Sequence, residues 1–255
     1  MRMFQRSVTL YLCAFVIACL PAFGQNPEPG PEFGYAGTDG PKAWGDLSAA
    51  YIACKQGHEQ SPIDIREAKK EALPPIEFHY VDAPLKIINN GHSVQVNYAP
   101  GSWITVGGHK YELRQFHFHH PSEEHINGKG FDLSLHLVHA DSKGKLAVVA
   151  VLLKIGSPND AVRRIFDNLP QTPGKEQEIA GAPINASAFL PRSLGYYTFE
   201  GSLTTPPCTE GITWFVLKTP EEVSSDEVAA FAKVYPYDAR PIQPTEGRMI
   251  LDSQY

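Results

Sequence analysis

The stretches QFHFH at 115–119 and SLHLV at 134–138 are the most informative parts of this chain. Successive residues of a β-strand point to opposite faces, so His117 and His119 share one face while the intervening phenylalanines point to the other. His136 lies in a second alternating run, which brings a third imidazole alongside if the two strands pair. Three neutral imidazoles suit Zn²⁺ and leave its fourth position open, as in catalytic zinc sites.

Further strand signals surround these two stretches. Residues 103–106 and 110–113 flank Gly107-Gly108, a hairpin-turn signature. The apolar run 146–153 predicts a strand that is buried on both faces, and 212–217 predicts another. No linker divides the chain after its N-terminal segment, so we expect a single, mainly β domain over residues 33–255.

Helix signals are few and short. Ser157 is predicted to cap one helix, with Pro158 at its first position. Ser224 and Glu227 have the spacing of a capping box ahead of a second helix, which Pro236 should end.

The N-terminal segment indicates export. Arg2 and Arg6 precede an apolar stretch at 8–20, and small residues at 22–24 offer a cleavage site, so residues 1–24 are predicted to be a signal peptide. A flexible segment at 25–32 follows. Residues 16–19 also resemble a lipoprotein box, in which Cys19 would be lipidated. We expect a periplasmic or secreted protein, with a lipid anchor at Cys19 as the alternative.

Charge and cysteine content limit the partners and the fold. Cleavage would remove two arginines and no acidic residue, which moves the net charge from −6 to −8. An acidic chain without a basic run gives no support to nucleic-acid binding. No apolar span of about twenty residues follows the N-terminus, so membrane association is expected only through lipidation. Cys54 and Cys208 would remain after cleavage and should form a disulfide. A monomer and a homodimer are both compatible with the sequence.

Six motifs that occur in order along the chain resemble the alpha-class carbonic anhydrases, in particular the exported bacterial ones. The motifs are QSPIDI (60–65), NNGH (89–92), QFHFH (115–119), HLVH (136–139), GSLTTPPC (201–208) and RPIQP (240–244). The resemblance covers residues 33–248. It implies a twisted, mostly antiparallel sheet of about ten strands with a zinc ion at the bottom of a conical cavity. It also implies reversible hydration of CO₂ to bicarbonate and a proton.

The resemblance assigns roles to individual residues. It makes His117, His119 and His136 the zinc ligands, and a zinc-bound hydroxide would attack CO₂. The resemblance also has Thr204 accept a hydrogen bond from that hydroxide and donate its own proton to Glu123. Glu124 stands next to Glu123, but an ungapped match of residues 121–123 to the family pattern favours Glu123.

Other positions follow from the same resemblance. His92 matches the proton shuttle. Gln115 and Ser134 match residues that contact the ligand histidines on the side away from the metal. The substrate pocket would comprise Val138, Val148, Leu203, Thr204, Thr205 and Trp214. The water network of the proton path would comprise Tyr35, Asn90 and Gln95.

Ser134 departs from the family pattern. Many members carry a glutamate two residues before the third ligand, where it accepts the far N–H of that histidine. Strand alternation places Ser134 on the face of His136, so its shorter, uncharged hydroxyl is predicted to be a weaker acceptor there, and zinc is predicted to leave faster. The alternative is that a water molecule or a backbone carbonyl takes the glutamate's role.

Three other functions compete with CO₂ hydration. A related binding protein without a metal would typically lack a ligand histidine, and all three are present. A zinc-delivery protein would need no pair corresponding to Thr204 and Glu123 and no proton path, yet the sequence offers residues for both. A zinc peptidase would carry a His-Glu-x-x-His helix, and the sequence contains none.

Overall fold

The computed structural model describes residues 31–254, which form a large β-sheet with short helices around it. Within these residues the fifteen strands are β1 Asp64–Ile65, β2 Lys69–Glu71, β3 Ile76–His79, β4 Ala83–Asn89, β5 Val94–Asn97, β6 Trp103–Val106, β7 His109–His119, β8 His125–Ile126, β9 Leu133–Ala140, β10 Leu146–Ile155, β11 Gln177–Ile184, β12 Tyr196–Ser202, β13 Glu210–Leu217, β14 Glu221–Val223 and β15 Leu251–Ser253. The α-helices are α1 Trp44–Leu47, α2 Ala53–Gln56, α3 Asp160–Phe166 and α4 Ser225–Val234, and 3₁₀ turns cover Gly37–Asp39, Ala49–Tyr51 and Ala186–Phe189.

The main sheet contains a continuous path of ten strands in the order β11-β4-β5-β7-β9-β10-β13-β12-β15-β2. Its neighbours are antiparallel except for β10 with β13 and β15 with β2. Strands β3, β6 and β14 pair beside this path, and β14 runs parallel to β10. The expected mainly β fold is therefore confirmed, and the sheet is mixed in direction.

The local strand predictions agree with the structure. Gly107 and Gly108 connect β6 to β7, and their φ angles of 56° and 81° are the positive values that a two-residue type I′ turn requires. Strand β10 is buried from Ala147 to Leu153 and pairs with β9 on one side and β13 on the other.

One of the two helix starts is correct. Ser224 caps α4, since its hydroxyl accepts from the Glu227 N–H at 3.2 Å and the Glu227 carboxylate accepts from the Ser224 N–H at 2.7 Å. The predicted cap at Ser157 is wrong. Asn159 caps α3 instead, because its side-chain oxygen accepts from two N–H groups of the first turn. The Ser157 N–H is bonded to Glu222.

Strand alternation in β7 separates the two sides of the sheet. Phe116 and Phe118 point into the larger core, where Phe118 packs against Phe166 of α3 and Phe231 of α4. The histidines of β7 point to the opposite side. The two longer helices therefore cover the face that lies behind the histidines and leave the histidine face free to form a cavity.

Within residues 31–254, none of the helices has the length and hydrophobicity needed to cross a bilayer. The predicted signal peptide and Cys19 lie outside the described residues.

Candidate active site

Three histidines meet on one face of the sheet. Strands β7 and β9 are antiparallel with His117 directly opposite His136, and His119 lies two residues further along β7. The ring centroids are 4.7–5.4 Å apart. Each ring offers a nitrogen, and the three nitrogens lie within 4.8 Å of one another. The arrangement follows from the two-residue period of both strands together with their register.

In each of the three rings one nitrogen is bonded to a protein oxygen acceptor. Since carbonyl, amide and carboxylate oxygens can only accept here, that ring nitrogen carries the proton and the other keeps a lone pair. The hydrogen bonds join His117 Nδ1 to Gln115 Oε1 at 2.8 Å, His119 Nδ1 to the Asp238 carbonyl at 2.7 Å and His136 Nε2 to Glu124 Oε2 at 3.1 Å.

The histidine cluster fits a zinc ion. His119 Nε2 is buried and has no hydrogen-bond partner among residues 31–254, so its lone pair is available to bind a metal ion. Burial, together with the neighbouring histidines, lowers the pKa of His117 and brings that of His119 to about 4, so both imidazoles are neutral at physiological pH. Burial also opposes the charged form of His136, but Glu124 and then Glu123 outweigh it and raise its pKa. Three imidazoles are a donor set that zinc prefers.

Glu123, Glu124 and His136 also lie close enough to hold a metal. One oxygen of each carboxylate is already engaged, since Glu124 Oε2 faces His136 and Glu123 Oε1 accepts from the Arg240 N–H at 2.7 Å. The three-histidine set is therefore the better candidate.

The histidines line a cavity of about 240 Å³. Two of the predicted site residues, Glu123 and Ser134, are buried and do not line the cavity. Three residues that were not predicted, Phe33, Ser93 and Pro206, do line it. The other predicted residues that line it are Tyr35, Asn90, His92, Gln95, Gln115, Val138, Val148, Leu203, Thr204, Thr205 and Trp214.

One wall of the cavity is apolar. Val138, Val148 and Trp214 are direct neighbours across β9, β10 and β13, and each is at least nine-tenths buried. The Trp214 ring meets His136 edge to face, with centroids 5.0 Å apart. This register places an apolar surface directly beside the candidate metal ligands.

His92 lies on another part of the cavity lining and is half-buried. Its ring stacks on Phe33, and its backbone N–H is fixed by Asn90 Oδ1 at 2.9 Å. Burial lowers the pKa of His92, although Glu32 and a hydrogen bond with the Phe33 backbone act in the opposite direction. Phe33 lies outside all six motifs, so the sequence offered no sign of this contact.

Thr204 and Glu123 come from different parts of the chain. Thr204 lies in the loop between β12 and β13 and is 6% exposed, whereas Glu123 follows β7 and is 1% exposed. Burial raises the pKa of Glu123 to about 8, while the charge of His136, the hydrogen bond from the Arg240 N–H and the nearby Thr204 hydroxyl lower it. The hydrogen bond from the Thr204 hydroxyl to Glu123 that the resemblance implies stays a prediction.

The predicted hydrogen bond between Ser134 and His136 is wrong. The Ser134 hydroxyl accepts from the Glu123 N–H at 3.2 Å, and the far nitrogen of His136 meets Glu124. The side chain of Glu124 is longer than that of serine and carries a charge, so it is the stronger acceptor for the ring N–H. Sequence reasoning considered Glu124 only as a rival to Glu123.

The Thr204 loop is fixed to the N-terminal part of the domain. Cys54 and Cys208 form the predicted disulfide, with Cα atoms 5.0 Å apart. Gln60 Nε2 donates to the Cys208 carbonyl at 3.1 Å, and Ser61 and Ser202 exchange two hydrogen bonds at 2.9 and 3.2 Å. These contacts limit the movement of Thr204 relative to the histidines.

Several known proteins are similar to this chain in sequence and fold. The sequence profile of the eukaryotic-type carbonic anhydrases matches residues 39–254. A carbonic anhydrase of Nostoc is 41% identical over 227 residues, covering 87% of this chain and 86% of that protein. One from Neisseria gonorrhoeae is 38% identical over 251 residues, covering 98% and 99%. The alpha-carbonic anhydrase of Thermovibrio ammonificans, solved with the inhibitor sulfanilamide, superposes with a TM-score of 0.85 at 39% identity, covering 88% of this chain and all of that one. The chain is therefore a member of the eukaryotic-type, or alpha, carbonic anhydrase family of enzymes.

Proposed function

We propose that this protein catalyses the reversible hydration of CO₂ to bicarbonate and a proton with a zinc ion held by His117, His119 and His136. The observation that carries the proposal is the set of three imidazoles, each held through one nitrogen, in a cavity with an apolar wall. When bound to three neutral imidazoles, zinc supplies Lewis acidity that makes a water molecule nucleophilic at neutral pH, a known property of carbonic anhydrases.

The apolar wall binds CO₂. Val138, Val148 and Trp214 offer a surface from which a small apolar molecule can displace water, and Leu203 extends it from the Thr204 loop. Because the wall adjoins His136, the carbon atom lies within reach of the attacking oxygen. Thr205 lies beside Thr204 on the cavity lining and completes the proposed substrate pocket.

Thr204 and Glu123 orient the attacking oxygen. A hydroxyl donates one hydrogen bond and accepts others. When Thr204 donates to the Glu123 carboxylate, its oxygen must accept from the attacking water, which turns a lone pair of that water toward CO₂. Burial alone favours the neutral form of Glu123, and a divalent cation nearby favours the carboxylate that this role needs.

His92 carries the released proton to buffer. Histidine is the side chain that gains and loses a proton near neutral pH, and His92 lies on the cavity lining without being one of the three clustered rings. Tyr35, Asn90 and Gln95 line the same cavity, and we propose that they hold the water chain between the reacting centre and His92.

The proposed setting is the periplasm or the exterior of the cell. A signal peptide at residues 1–24 would direct export of the domain at 33–255, and the Cys54–Cys208 disulfide supports an oxidising compartment. The proposed partners are CO₂ and bicarbonate.

Stopped-flow measurement of CO₂ hydration tests the proposal. The purified protein should hydrate CO₂, lose that activity when a chelator removes its metal and recover it with added zinc. Sulfanilamide, the inhibitor in the Thermovibrio structure, should inhibit the zinc-loaded protein. Activity that survives complete metal removal would refute the proposed role of zinc.

A further inference from the structure

We propose that Glu124 is the positioning residue that orients His136 for the metal, in the place of a glutamate at position 134. This inference rests on the proposed zinc function and concerns how firmly the site holds zinc. In this chain the Ser134 hydroxyl accepts from the Glu123 N–H, and Glu124 supports the ligand.

The first observation is the contact itself. Glu124 Oε2 lies 3.1 Å from His136 Nε2, and both residues are at most 1% exposed. Water does not compete for this hydrogen bond, and a charged acceptor makes it stronger than a neutral one. The bond fixes the proton on Nε2, so Nδ1 presents its lone pair toward the other two histidines.

The second observation is that the loop around Glu124 is held in place. The Ser122 hydroxyl donates to the Glu124 carbonyl at 3.1 Å, and the His125 N–H donates to the Ile63 carbonyl at 3.2 Å. Strand β8 then pairs with β1 immediately after Glu124. The backbone that carries the carboxylate is therefore anchored on both sides, as a positioning residue requires.

The third observation concerns Ser134. Its hydroxyl accepts from the Glu123 N–H, and it lies opposite His119 on β7 and Leu152 on β10. A glutamate at 134 would add a third buried carboxylate near Glu123 and Glu124, where like charges repel and desolvation is costly. With Glu124 in place, a serine is therefore the compatible neighbour.

Partners that orient ligand histidines typically contribute about 10–100-fold to metal affinity or activity. We therefore expect Glu124→Ala to release zinc about 10–100-fold faster than the wild type. Glu124→Gln should have a smaller effect, because its amide oxygen can still accept the N–H but carries no charge. Ser134→Glu alone should not slow release.

The decisive variant exchanges the two residues. Glu124→Ser combined with Ser134→Glu should recover most of the retention that Glu124→Ser alone loses, since a carboxylate returns to the outer nitrogen of His136 from the strand side. Glu227→Gln is the matched control, because it removes a different buried carboxylate, that of the α4 capping box, and should leave zinc release unchanged.

The experiment measures transfer of zinc from the loaded, full-length mature protein to an excess of a colorimetric chelator. The visible absorption of cobalt-substituted protein is the second readout, since the spectrum reports the geometry of the ligand set and a purely structural residue would leave it unchanged. Altered spectra and faster release in Glu124→Ala, with recovery in the exchange variant, support the inference.

Wild-type zinc release and an unchanged cobalt spectrum in folded Glu124→Ala would overturn it. If Glu124→Ala does not fold, the same comparison is made with Glu124→Ser, and unchanged release there would also overturn it. Failure of the wild type itself to bind zinc would instead refute the proposed function, so the two failures are distinguishable.

Discussion

The ring of Phe33 lies flat on the imidazole of His92, with centroids 3.7 Å apart and planes inclined by only 8°. The segment that precedes the first helices thus covers one face of the proposed proton shuttle. Burial lowers the pKa of His92, so Phe33 helps to set the pH at which this residue exchanges protons.

Removal of Phe33 should therefore raise the pKa of His92. In Phe33→Ala the imidazole gains access to water, which stabilises its charged form and moves the pKa back toward about 6.5. An NMR titration of the His92 ring protons measures this shift. Tyr237→Ala, which removes an exposed aromatic ring elsewhere, is the control. An unchanged or lower pKa in Phe33→Ala would show that the stacking does not act on the titration.

His92→Ala should slow turnover in weak buffer and recover when imidazole is added. Without a relay, an acid of neutral pKa loses its proton to water at no more than roughly 10³ s⁻¹, because recapture is limited by diffusion at ~10¹⁰ M⁻¹s⁻¹. Stopped-flow hydration at several buffer concentrations measures the effect. His79→Ala, at an exposed histidine of β3, should behave like the wild type. Wild-type turnover of His92→Ala in weak buffer would exclude the shuttle role.

Loss of the disulfide should destabilise the domain. The bond joins residues 154 positions apart, and the loop-entropy relation gives an upper contribution of about 4–5 kcal/mol for a loop of this length. Cys54→Ser combined with Cys208→Ser should therefore unfold at a lower urea concentration than the oxidised wild type. Reduced wild-type protein provides the comparison without substitution, and equal midpoints for oxidised and reduced protein would contradict the expectation.

Asp238→Asn should stabilise the zinc-free protein at alkaline pH. Burial raises the pKa of Asp238 to about 7 in the folded state, against about 3.9 in an unfolded chain. Between these values the folded state binds more protons than the unfolded state, so the free energy of unfolding decreases as pH rises. The amide side chain of Asp238→Asn does not titrate, so the substitution removes this decrease in the free energy of unfolding.

Urea unfolding at pH 5 and pH 8 measures this difference. The advantage of Asp238→Asn over the wild type should be larger at pH 8, whereas Asp167→Asn, at an exposed position after α3, should show no such trend. An advantage that is equal at both pH values would show that the Asp238 carboxyl does not titrate as its burial implies.

Sequence patterns predict the parts of the site that follow from local periodicity. His117, His119 and His136 share a face because strands repeat every two residues, and the apolar wall follows from the same alternation in β9, β10 and β13. The capping box at Ser224 is equally local. These features depend on residues that are close in sequence or on regular pairing.

The supports of the histidines are not local, and the sequence predicts them poorly. His119 is bonded to the backbone carbonyl of Asp238, 119 residues away, and a carbonyl group leaves no signature in a sequence. Glu124 reaches His136 from a loop, so its role depends on tertiary placement and not on strand alternation. Gln115 is the exception, because it lies two residues before His117 on the same strand face.

The central claim, that three histidines hold a zinc ion that is needed for CO₂ hydration, is tested most directly by one paired measurement. Bound zinc and CO₂ hydration are determined on the same samples of wild-type protein and His119→Ala. We predict one zinc per chain with zinc-dependent hydration in the wild type, and loss of most zinc and most activity in the variant, because two ligands hold zinc poorly. Hydration at the wild-type rate by folded, zinc-free His119→Ala would contradict the claim.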